Sequence, residues 1–110
     1  MIKAAFYSRN GHYIGFSVSG HAGFDEEGKD IICAAVSALT INAVNSLEKL
    51  TNDTILTEEC DDGKVNCKVM GHLSPESELI IKSLRLGLCD IYKTQDNDDD
   101  FIRVYFREVN

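Results

Sequence analysis

The most constraining feature is the segment opened by Asp30 and running to about Leu50. Ala34, Ala35, Val36, Ala38, Leu39, Ile41, Ala43 and Val44 make its first half apolar nearly all round. Such a segment reads as a helix buried on more than one side, and a single sheet can cover only one of them. A second helix or a partner subunit must cover the other. Asp30 reads as its N-cap, with Ile31, Ile32 and Cys33 as the first helical residues.

The rest of the chain arranges itself around that helix. Ile2 to Ser8 and His12 to Ser19 read as strands joined at Arg9-Asn10-Gly11. A three-residue turn with Gly11 left-handed would pair Phe6 with Ile14, Ala4 with Phe16 and Ile2 with Val18, keeping one continuous apolar face. Ile55 to Cys60 and Lys64 to Met70 form a second hairpin around Asp61-Asp62-Gly63, with Val65, Cys67 and Val69 pointing inward and Cys60 expected on the same face. Ser74-Pro75 caps a second helix striped by Ile80, Leu84, Leu88 and Ile91. Gln95 to Asp100 is an acidic break, and Phe101 to Val109 ends the chain as a strand.

The order β-β-α-β-β-α-β, with no repeated βα unit, predicts a two-layer α+β domain spanning residues 1–110. Its sheet should be mixed but mostly antiparallel, with two helices. At 44% hydrophobic and 26% charged, 110 residues supply one core. No uninterrupted apolar stretch approaches the roughly 20 residues of a bilayer span, and Met1 to Arg9 lacks a basic leader, so no membrane association and a cytoplasmic location are expected.

Eighteen acidic against 11 basic residues leave a formal charge of −7, which argues against direct nucleic-acid binding and favours a basic protein or peptide partner. Tyr7, Tyr13, Phe16 and Tyr105 could stack bases only if exposed beside basic residues. His12, His21 and His72 with Cys60 or Cys67 show no metal-finger spacing, so neither a metal nor any other cofactor is expected. Asp96 to Asp100 lacks the pattern of a calcium loop.

Chemistry concentrates at one place. Gly20 to Lys29, GHAGFDEEGK, has neither strand nor helix periodicity; Gly20, Gly23 and Gly28 punctuate it and mark it as a mobile loop. Its length exceeds the usual connection of about 4 to 6 residues, as functional loops often do. Cys33 follows at the start of the helix, where unsatisfied N–H groups and the positive end of the dipole favour an anion such as a thiolate. His21 lies twelve positions earlier, far enough for the loop to turn back and set an imidazole beside the sulfur. These are the residue types of a nucleophile and its base. Residue types alone equally allow Cys33 to be a small core hydrophobe and His21 an exposed loop residue.

The segment GHAGFDEEGKDIICAAVSAL closely resembles the signature of the Prp family, the bacterial ribosomal-processing cysteine proteases, and the resemblance extends along the whole chain. It implies a cysteine endopeptidase that removes a short N-terminal extension from ribosomal large-subunit protein 27, with Cys33 as nucleophile and His21 as general base. It also implies a homodimer whose substrate is the N-terminal segment of a basic ribosomal protein. Asp30 and Ser37 coincide with the motif as supporting residues, although Asp30 is equally explained as a cap and Ser37 as a hydroxyl bonding its own backbone. Ala35 stands where the family commonly has glycine, adding one methyl near the site. The alternative is a non-catalytic ribosome-assembly module that binds the same basic protein and uses Cys33 only for packing.

Overall fold

The computed structural model describes residues 1–20, 29–60, 63–95 and 101–110, apart from the side chains of Lys29 and Asp30. Its elements are β1 (Ile2–Arg9), β2 (His12–Ser19), α1 (Lys29–Leu50), β3 (Thr54–Glu59), β4 (Val65–Met70), α2 (Pro75–Thr94) and β5 (Ile102–Glu108). The five strands form one mixed sheet in the order β3-β4-β2-β1-β5, antiparallel except where β5 runs parallel to β1. This is the two-layer α+β arrangement expected from the element order.

The first hairpin corrects the expected register. Arg9 pairs with His12 across a two-residue turn, Asn10-Gly11, both at positive φ (53° and 81°). That is the conformation Asn-Gly favours, because its twist matches the twist of the strands. Alone, it would put Phe6 and Phe16 on opposite faces. An irregularity beyond Tyr7 absorbs the mismatch: Ser8 faces Tyr13 whereas Tyr7 faces Gly15, leaving Ile14 as the extra residue. One bulged residue restores the alternation, so Phe6 meets Phe16 and Ala4 meets Val18, each shifted by two residues from the expected partner.

Both helices pack on one face of this sheet. Ile2, Ala4, Phe6, Phe16, Val18, Cys67, Val69 and Ile102 from the strands meet Val36, Ala43 and Leu47 of α1 and Ile81, Leu84 and Leu88 of α2. The buried stripe of α2 is thus Ser77, Ile81, Leu84 and Leu88, with Ile80 and Ile91 on its half-buried flanks. The Ser74 hydroxyl caps α2 by accepting from the Ser77 N–H, with Pro75 in the first turn. Glu78 ties α2 to the first hairpin: its carboxylate accepts from the Tyr13 N–H at 2.9 Å and lies 3.0 Å from His12 Nδ1. Cys60 is exposed and does not join Cys67 in the core, because it lies beyond Glu59, the last residue of β3.

By length and composition Ile31–Leu50 of α1 would serve as a bilayer span. Here Cys33, Val36, Ala43 and Leu47 are packed into the core while Ile31 (73% exposed) and Ile41 (60%) stand clear of it. The opposite side of α1 is therefore left without cover among the described residues.

Candidate active site

α1 begins at Lys29, so Asp30 is its second residue, not the cap outside it, and Cys33 is the fifth residue, closing the first turn. Cys33 is 9% exposed and belongs to the core cluster, so its sulfur sits at the edge of the hydrophobic layer and not on the open surface. His21, Gly23 and Gly28 lie outside the described residues, as does the Asp30 side chain.

Gly20, the residue before His21, is described. It has φ +84° and lies so close to the Met1 carbonyl that any Cβ would collide with it. Backbone contact therefore anchors the entry to the His21 segment. Strand register then locates that anchor relative to Cys33. Val18 pairs with Val65, and Val65 lines a cavity together with Ser37 and Thr40 of α1. Ser37 is one turn beyond Cys33 on the same helix face. The residue preceding His21 and the turn carrying Cys33 thus lie at the same end of the sheet.

The cavity holds about 240 Å³ between the first half of α1 and the second hairpin, with Glu59, Cys60 and Lys64 at its rim. It is continued along α1 by a second, of about 390 Å³, lined by Thr40, Ile41, Val44, Glu48, Thr57 and Glu59. Thr40 borders both. It is almost fully buried and its hydroxyl has no hydrogen-bond partner, an uncommon state for a buried polar group. The sequence reading missed Thr40 and Glu59. The spacing of Cys33, Ser37, Thr40 and Val44 along one helix face was the available signal for Thr40; Glu59 depended on how the hairpin folds back.

The four thiols are free, and their settings differ. Burial pushes the Cys67 thiol above its ordinary value, outweighing the Thr57 hydroxyl that donates to its sulfur at 3.7 Å. Cys67 is therefore a protonated core residue at neutral pH. Among the described residues no group of three or more His, Cys, Asp or Glu side chains is arranged to hold a metal ion.

Comparison with known proteins gives concordant matches. A sequence profile of the family described as "Cysteine protease Prp" matches residues 1–100. The ribosomal processing cysteine protease Prp of Bacillus subtilis strain 168 is 38% identical over 50 residues, so the aligned part spans 46% of this chain and 45% of that relative. SMU.848 from Streptococcus mutans superposes with a TM-score of 0.84 at 28% identity, covering 99% of both chains. The essential ribosomal processing protease Prp from S. aureus, crystallised with a substrate peptide, superposes with a TM-score of 0.84 at 25% identity, covering 96% of this chain and 99% of that one. The same protease with a covalently linked product peptide gives 0.81.

Proposed function

The chain belongs to the cysteine protease Prp family, and from that premise we propose that it is the endopeptidase that removes the short N-terminal extension of ribosomal large-subunit protein 27. The observation that carries this reading is the position of Cys33 in the first turn of α1, at the end of the sheet where the anchored Gly20 leads into His21, with a partly apolar groove running on along the same helix face.

In the proposed mechanism the Cys33 thiolate attacks the peptide carbonyl, and the amide nitrogen leaves as an amine after accepting a proton from protonated His21. Water, deprotonated by the now neutral imidazole, then adds to the thioester, and collapse expels the Cys33 thiolate and the acid product, restoring thiolate and protonated His21. N–H groups at the start of α1 supply donors for the tetrahedral oxyanion. Covalent capture of a product peptide by the S. aureus relative supports an enzyme of this class. Substrate lies along the groove past Ser37 and Thr40. Glu48 and Glu59 suit basic residues of the substrate.

The working unit is a cytoplasmic homodimer. Ile31, Ala34, Ala38 and Ile41 recur at helical spacing on the exposed side of α1, and small residues between two isoleucines let a second helix approach closely. Asp30 acts through the first turn of the helix.

A second reading has one observation in its favour: Cys33 is nearly buried among core residues, as a packing residue would be. In that reading the chain is a non-catalytic assembly module that grips the same basic protein. Incubation with a synthetic peptide spanning the N-terminal junction of ribosomal protein 27, followed by mass measurement of the products, separates the two. The protease reading expects two products from the native chain and none from His21→Ala. Salt-sensitive binding with an intact peptide would overturn it.

A further inference from the structure

The sheet face turned away from the helices is open. Register sets Glu58, Asn66, Ser17, Ala5 and Tyr105 in one row across all five strands, and Leu56, Lys68, Gly15, Tyr7 and Arg107 in the next. Lys3 and Arg103, paired with each other, share this face by alternation, and Arg9 joins Tyr7 on it. Five of the 11 basic residues of an acidic chain therefore gather on one surface, against Glu58 alone among the described acidic residues. Net charge conceals this segregation; the local field does not.

Two of these cations, Arg9 and Lys68, line a shaped site, and Arg107 stands in the same cross-strand row as Lys68. Tyr7, Arg9, Gly15, Lys68, Glu58 and Val109 line a cavity of about 390 Å³. Its floor is bare at Gly15, where a Cβ would come within 2.6 Å of the Cys67 carbonyl. Among the described residues, neither Arg9, Lys68 nor Arg107 is in an ion pair with a carboxylate. Arg107 instead lies over the Tyr105 ring, 6.0 Å from its centre. Tyr7, whose hydroxyl is 3.1 Å from Ser17 Oγ, holds the adjacent strand position, diagonal to Tyr105.

The geometry points to this face as a binding surface for a single-stranded nucleic-acid segment. Unpaired cations would neutralise its phosphates, and the two tyrosines offer rings on neighbouring strands for exposed bases. An acidic peptide would satisfy the cations but leave the rings without a counterpart. A duplex hides its base faces and cannot use them. The sequence alone argued for no such partner because charge summed over the chain carries no information about faces.

The test is fluorescence anisotropy with a labelled uridine 12-mer, a thymidine 12-mer and a duplex of equal length. Three neutralised phosphates at about 0.7 each give a log–log salt slope near −2, or about a 16-fold loss of affinity between roughly 50 and 200 mM KCl. Tyr105→Ala should weaken binding about tenfold, and Lys68→Glu with Arg107→Glu at least as much. Lys49→Glu with Lys82→Glu, on the helix layer, should change it less than about twofold. All these positions are exposed or partly exposed, and circular dichroism verifies the fold of each variant. Three results would each overturn the proposal: no binding of either single strand at low salt, equal binding of the duplex, or equal weakening by the helix-layer reversals.

Discussion

Cys33 and Cys67 are two buried thiols of one core cluster, 9% and 1% exposed, and the same truncation at each separates packing from chemistry. Changing either to alanine deletes one sulfur, a group about the size of a methylene. Lost transfer free energy of about 0.8 kcal/mol and a small residual cavity make the cost roughly 1 kcal/mol at either site. Cys67→Ala also removes the acceptor of the Thr57 hydroxyl, a weak contact at 3.7 Å. For a domain of this size about 1 kcal/mol corresponds to a melting shift near 4 °C, so the two variants should melt within a few degrees of each other. Cleavage should diverge completely. Without the Cys33 sulfur no thioester forms, and peptide turnover should fall at least about 10³-fold, equivalent to roughly 4 kcal/mol of barrier. Cys67→Ala should cleave within about twofold of the native chain, since a thiol held protonated by burial is no nucleophile. Thermal melts and mass-resolved peptide cleavage, both run well below the melting transition, measure the two quantities. Retention of a tenth of the activity by Cys33→Ala, or an equal loss in Cys67→Ala, would show that sulfur at position 33 serves only to fill space.

Other outcomes test other parts of the structure. Gly15→Ala would push a Cβ against the β4 backbone, 2.6 Å from the Cys67 carbonyl and 3.1 Å from Lys68 Cα, and should cost about 1 to 3 kcal/mol in denaturant unfolding; an unchanged midpoint would mean the strands are not so closely apposed. Asp53 has its carboxyl held below the usual value by the nearby Ser77 hydroxyl, which stands outside hydrogen-bonding geometry, and by the Ser74 hydroxyl and N–H that donate to it at 2.7 and 2.9 Å. A depressed carboxylate contributes its stability above the unfolded value, near pH 4, and loses it as pH falls through the lower folded value. Asp53→Asn should therefore flatten the acid limb of a stability-versus-pH curve, and an unaltered limb would remove Asp53 from that role. Ile41→Glu should weaken the proposed dimer about 100-fold or more, because two copies of the side chain lose burial worth about 1.5 kcal/mol or more each; sedimentation showing the same association state as the native chain would place the interface elsewhere.

Element order was legible because the strands alternate, α1 is a long apolar run bounded by a glycine-rich segment, and Ser74-Pro75 announces α2 by local chemistry alone. Register was harder. Asn10-Gly11 specified its two-residue turn correctly, but the apolar pattern contradicted that turn, and only a bulge at Ile14 satisfies both. A bulge leaves no mark in composition, so pattern reasoning moved the turn instead. Cys60 was misplaced because a thiol at a hairpin end has no periodic neighbour to set its face. The motif from Gly20 to Ser37 was readable as a family signature, whereas the groove beside Ser37 and Thr40 depends on how the second hairpin meets α1. Thr40 shows the difference: its helix face could be read in advance, its unpaired hydroxyl could not.

The two layers divide the molecule's contacts in a way that follows from strand order. Because β5 pairs parallel with β1 and both crossovers pack on one side, every helix falls on the same face. α1 then has to serve three demands with one cylinder: a core stripe through Val36, Ala43 and Leu47, the thiol of Cys33 at its first turn, and an uncovered ridge through Ile31 and Ile41. A helix used on three sides needs apolar residues nearly all round, which is why its sequence also passes for a bilayer span. The opposite sheet face is relieved of all three demands. Its alternate residues are free to be Lys, Arg and Tyr without disturbing the core, since outward positions of a strand are independent of inward ones. Charge reversal there should leave the melting temperature and peptide cleavage nearly unchanged, whereas equally conservative changes along α1 should affect packing, association and chemistry together.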